Sequence, residues 1–82
     1  MIIRGIIKMK YNFLDLICEI MMAGEDEREI FLIQSGGVEW CNDAEMLIGA
    51  LYKKEEKFIS CRAEGNKLNC IFKDEEFVID VW

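Results

Sequence analysis

The stretch "GGVEWCNDAEMLIGAL", residues 36–51, compresses a turn, a stub of strand, a helix cap and a very short helix into sixteen residues. Paired glycines can take positive φ, and "VEW" (38–40) has the composition of a short strand. Asn42 or Asp43 is a helix-capping residue type. Ala44, Leu47, Ile48 and Leu51 then repeat at the spacing of one buried helical stripe. A helix of about eight or nine residues spans only about 13 Å. The crossing helix of a ferredoxin-like domain usually runs to roughly ten residues or more, so an acidic ferredoxin-like ligand sensor, a third reading of the chain, fails if this helix is confined to about residues 43–52.

The flanking sequence builds the rest. "IIRGIIKMKY" alternates, with Ile3, Gly5, Ile7, Met9 and Tyr11 on one face and Arg4, Lys8 and Lys10 on the other, which predicts a first strand. Asn12 caps a first helix, with Asp15 placed to favour its first-turn amides. Phe13, Leu16, Ile17, Ile20 and Met21 form its apolar stripe, and Gly24 stands where a terminating glycine belongs. "EIFLIQ" (29–34) and "FISCRA" (58–63) predict strands, the second followed by an "EGNK" turn.

The final stretch, "LNCIFKDEEFVIDVW", fits two patterns. Leu68, Cys70 and Phe72, then Phe77, Ile79 and Val81, alternate as two strands, while Leu68, Ile71 and Phe72 also fit a helical turn. β-Branched and aromatic content favours strand for the last six residues. The expectation is one α+β domain over residues 1–82, with an antiparallel sheet, helices on one face, and the order β-α-β-β-α-β plus a strand-like or short helical tail.

This pattern resembles the HPr family, the histidine-containing phosphocarriers of the bacterial sugar phosphotransferase system. The resemblance runs through "EIFLIQSGG", "VEWCNDAEMLIGAL" and "KFISCRAEG", where HPr proteins likewise show a strand, a glycine turn, a stub strand, a short capped helix and a strand ending in Ala-Glu-Gly. It implies an HPr-like open-faced sandwich. Three departures accompany it. The family's phosphate-accepting histidine falls near Asn12, and the chain has no histidine. An amide nitrogen lacks a basic lone pair, so phosphotransfer by the family's route is excluded. The position of a regulatory serine in many bacterial members falls at Asn42 or Asp43, where an aspartate sets a fixed negative charge at a helix start or is simply a cap. The family's long C-terminal amphipathic helix is replaced by an acidic, strand-like tail.

Charge and cysteine usage narrow the function. Sixteen acidic against ten basic residues give a net charge of −6, which repels nucleic acid. No stretch approaches the ~18 apolar residues of a membrane span, and no signal sequence is read, so a soluble cytoplasmic protein is expected. Cys18, Cys41, Cys61 and Cys70 are too widely spaced for a zinc site, and they read as reduced small hydrophobes in or near the core. Ser35 and Ser60 have no histidine partner, so no catalytic set, metal or cofactor is expected.

The expected function is a non-catalytic HPr-like module, protein-binding or regulatory, docking a partner through Asn12, Leu14, Asp43 and Met46. The alternative is a small assembly module forming a homodimer through an exposed sheet face or the C-terminal strand, by way of Phe77, Ile79 and Trp82. Exposure of Leu14 together with Met46 favours the first. An apolar sheet face or edge near Phe77–Trp82 favours the second.

Overall fold

The computed structural model describes residues 8–34, 37–40 and 43–82, with side chains for 9–34 and 43–82. The elements are β1 (Lys8–Tyr11), α1 (Phe13–Glu25), β2 (Ile30–Gln34), β3 (Gly37–Trp40), α2 (Ala44–Tyr52), a 3-10 turn (Glu55–Lys57), β4 (Phe58–Glu64), β5 (Lys67–Phe72) and β6 (Glu76–Val81). All strand pairs are antiparallel, and the sheet runs β1-β4-β5-β6-β2-β3. The chain is therefore α+β with an antiparallel sheet and two helices. The β-α-β-β-α-β order is not matched as a whole, because the expected tail is two complete strands in the sheet interior.

Alternation explains those strands. Leu68, Cys70 and Phe72 of β5, and Phe77, Ile79 and Val81 of β6, are buried with Cys61 and Ala63 of β4 and Ile30 of β2 in one core. Both helices cover that same face, through Phe13, Leu16, Ile17, Ile20 and Ala23 of α1 and Leu47 and Leu51 of α2. A helix over 68–72 would lose this period of two and the pairing that satisfies its backbone. Gly65 makes the β4–β5 turn at φ +63°, a conformation glycine adopts without a steric penalty. The early part of the predicted first strand, through Ile7, lies outside the described residues, as do Ser35–Gly36 and Cys41–Asn42.

Two features of α1 differ from the sequence expectation. Met21 is 49% exposed, and Ala23 takes the buried place instead. Gly24 does not end the helix, which continues to Glu25 with Asp26 as its cap. The chain then closes through Arg28 N to Ala23 O (2.9 Å) and Glu27 N to Gly24 O (3.2 Å), with Glu27 itself at φ +56°. Gly24 serves packing: a Cβ there would stand 2.7 Å from the Cβ of Ala44 at the start of α2. At the other end of the pair, the Phe13 and Tyr52 rings meet edge to face with centroids 5.4 Å apart. The helices are therefore antiparallel. From Phe13 the aromatic contacts continue to Phe58 (5.5 Å), Phe72 (5.5 Å) and Phe77 (5.4 Å), joining α1 to three strands.

The two helical glycines predict opposite outcomes. Gly24→Ala forces the helices apart and should cost about 1–3 kcal/mol. Gly49, in the middle of α2, has nothing within 4 Å of its would-be Cβ, so Gly49→Ala should stabilise by about 0.5–1 kcal/mol. Urea unfolding of the two variants checks both signs.

Candidate docking face

The caps position the helices first. Asn12 Oδ1 accepts from Asp15 N (2.8 Å), and Asp15 Oδ2 accepts from Asn12 N (3.0 Å), a reciprocal box that closes the start of α1. Asp43 Oδ1 accepts from Met46 N (3.1 Å) at the start of α2. Both predicted site residues thus hold helix starts. Because the helices are antiparallel, Asn12 and Leu14 lie at one end of the pair and Asp43 and Met46 at the other.

With the core faces turned to the sheet, the outer helix faces are unusually apolar. Leu14 is 63% and Met46 72% exposed. The sequence reading placed both off the buried stripes. Cys18, Met21, Met22 and Glu25 follow Leu14 at i+4, i+7, i+8 and i+11, all exposed, so α1 carries a second, outward stripe. On α2, Gly49 and Ala50 follow Met46 at i+3 and i+4 and are also exposed. Met22, like Met46, falls off the buried stripe in the sequence and is exposed, whereas Met21 reads as part of the core stripe. Met21 fits the geometric spacing of the inner stripe, and only the position of α2 shows which side of it is covered.

Between the C-terminal end of α1 and the start of α2 lies a cleft of about 710 Å³. Its floor is Met21, Gly24, Ala44 and Ile48, and its rim is Glu25, Asp43 and Glu45. The close approach at Gly24 brings these carboxylates near one apolar floor. Neither helix contains a lysine or arginine: their charged residues are Asp15, Glu19, Glu25 and Glu45.

The other predicted residues separate. Phe77 and Ile79 are buried under the helices, and β6 has β5 on one side and β2 on the other, so it offers no free edge. This overturns their placement at a self-association edge; of that set only Trp82 is exposed. Its backbone is tied down by Trp82 N to Glu29 O (2.8 Å) and Glu29 N to Trp82 O (3.0 Å). The side chain of Trp40 lies outside the described residues. The sheet face away from the helices carries Phe31, Ile33, Ile71 and Val78, all half-buried, with Val78 opposite Ile33 in register. Beside them Asp80, only 8% exposed, has no hydrogen-bond partner for its Oδ1 among the described residues.

Titratable groups show one chemically distinctive pair. Cys61 and Cys70 face each other directly across β4 and β5, with sulfurs 3.9 Å apart and both residues buried. The hydrogen bond to Cys61, then burial, push the Cys70 thiol up, while the donated proton draws the Cys61 thiol down. Cys18, in contrast to the core reading, is exposed. Among the described residues no group of three or more Cys, Asp or Glu is placed to hold a metal ion, and no helix is long and apolar enough to cross a membrane. No known family model, curated protein or solved structure matches the chain.

Below the docking face, the Tyr11 hydroxyl donates to Glu19 Oε1 (2.7 Å), linking β1 to α1. That hydrogen bond, with burial and the Glu19 charge, pushes the Tyr11 phenol up to about 12. The folded state therefore holds this proton more tightly than the unfolded chain, whose tyrosine titrates near ~10. The resulting stabilisation is complete below pH ~10 and is lost as pH rises towards about 12. Glu19→Gln should return the Tyr11 ionisation towards ~10, read as tyrosinate absorbance against pH.

Proposed function

We propose that this chain is a non-catalytic, protein-binding module of HPr-like type, regulatory in role, which docks a partner on the outer face of its helix pair. The observation that carries the reading is the joint exposure of Leu14 and Met46, extended by Met21 and Met22 along α1. Four large apolar side chains in solvent on two adjacent helices cost free energy unless a partner covers them. Exposed methionines also adapt to a partner's shape, because the unbranched thioether has many rotamers.

The HPr-like part of the reading rests on the element order from β1 to β4 and on a second helix confined to Ala44–Tyr52. It departs after β4, where β5 and β6 stand in place of a terminal helix. With no histidine in the chain, the module would dock without accepting phosphate. A cytoplasmic partner from the phosphotransferase system fits this reading. The test is an amide-resolved NMR titration with the unphosphorylated first enzyme of that system. Shifts should run along the outer face, from Asn12 and Leu14 at one end of the pair to Met46 at the other. A spectrum that does not move removes the phosphotransferase partner.

One observation favours a second reading, a homodimer through the sheet face away from the helices. Among the described residues the Asp80 oxygen has no partner: it sits among Phe31, Ile33 and Val78, and no ion pair joins it to Lys67, its neighbour in register on β5. A buried polar atom without a partner is costly, and a second copy over this face would supply a donor. Sedimentation equilibrium should then show a dimer that Val78→Lys dissociates without loss of secondary structure. A monomer at every concentration rejects the dimer.

A further inference from the structure

We infer that the occupant of the helix face is a basic amphipathic segment of a partner protein, laid along the antiparallel pair with its apolar side down. The inference rests on the docking role proposed above and names the chemistry of the partner. Three observations carry it.

Charge complementarity comes first. All ten basic residues lie outside both helices, while α1 and α2 carry only Asp15, Glu19, Glu25 and Glu45, with Asp43 as a cap. An acidic segment would meet like charges on both sides of the apolar strip, and so would an anionic lipid or a nucleic acid. A basic one would meet no like charge on the helices themselves.

The cleft supplies the second argument. A lysine or arginine stem lying over Met21 and Ile48 brings its cationic head to the rim of Glu25, Asp43 and Glu45. Long basic side chains combine an apolar stem with a charged tip in this way. The site thus matches both parts of one residue type.

The third is Gly49. A glycine in the interior of a helix costs about 1 kcal/mol relative to alanine, and no packing inside the chain requires it, since the space beside it is open. With Ala50 it leaves a low place next to Met46, where the backbone of a docked helix can approach closely. Helix-in-groove recognition uses such a floor, with partner anchors at i, i+3, i+4 and i+7.

The experiment uses the full chain with methyl-labelled methionine, leucine, isoleucine and valine and two synthetic helical peptides of equal length, one of leucine and lysine, one of leucine and glutamate. The lysine peptide should move the methyls of Leu14, Met21, Met22 and Met46, and the glutamate peptide should leave them in place. Glu25→Lys with Glu45→Lys should weaken the lysine peptide at least about tenfold, the scale of losing close charge pairs at an interface. Gly49→Gln should raise the melting temperature, through helix propensity, yet weaken binding. A merely structural glycine would not divide the two readouts in this way. Equal binding of both peptides at the same methyls overturns the basic partner and leaves the docking face standing. Movement confined to Ile33 and Val78, or none with either peptide, overturns the inference. The docking face is then judged by the enzyme titration alone.

Discussion

Among the described strands, β6 alone pairs with both halves of the sheet. Without it, β1-β4-β5 would form one sheet and β2-β3 a separate ribbon, and a lone two-stranded ribbon is marginal in water. Its register sets Ile30 against Val81 and Ile33 against Val78, partners 51 and 45 residues apart. The chain must therefore close a long loop before the core is complete, a cost that grows only slowly with length but falls early in folding. Alternation along β6 then does the rest, placing Phe77, Ile79 and Val81 in the core. The pairs Lys54–Glu75 (2.8 Å) and Lys57–Asp74 (2.9 Å) anchor the turn before it to the end of the helical layer. Lys54 also lies 5.6 Å from the Phe77 ring centroid.

The helical layer is fixed at two points, the Gly24–Ala44 approach and the Phe13–Tyr52 ring contact. Between them the helices stay in step over the sheet with few bulky residues holding them, which leaves several apolar side chains of each helix facing outward. The outward stripe on α1 and the low face of α2 are thus products of the same packing. A lysine-covered helix pair would be the usual soluble solution to this geometry. Here the only charges on the helices are acidic.

Much of this was legible in the sequence because it is local. The α1 stripe from Phe13 to Ile20, the Asn12 and Asp43 caps, and the short α2 follow from period and capping chemistry. What escaped is non-local. Gly24 has the residue type of a helix terminator, but its role depends on Ala44, twenty positions away. Met21 has the period of the core and lies outside it, because it opens onto the cleft beside α2. The tail read ambiguously because Leu68, Ile71 and Phe72 satisfy two periods, and only pairing on both edges selects one. Nothing local in "KDEE" shows that two of its acidic residues have lysine partners near the end of α2. Exposure of Leu14 and Met46 was legible, since both fall off their stripes. The cleft was not, because it exists only between two elements.

The absence of positive charge from both helices divides the molecule electrically as well as structurally, with lysines gathered instead at Lys53, Lys54 and Lys57 just past the end of α2 and at Lys67 and Lys73 on and beside the central strands. Outside the helices ten basic residues stand against twelve acidic ones and nearly cancel, so the field over the helices is negative and steers a basic partner before any atoms touch. Such steering shortens the search for the right face and leaves the final contact unchanged. Dissolved ions that damp the field beyond about 8–10 Å would therefore slow arrival at the helices while hardly altering how long a partner stays.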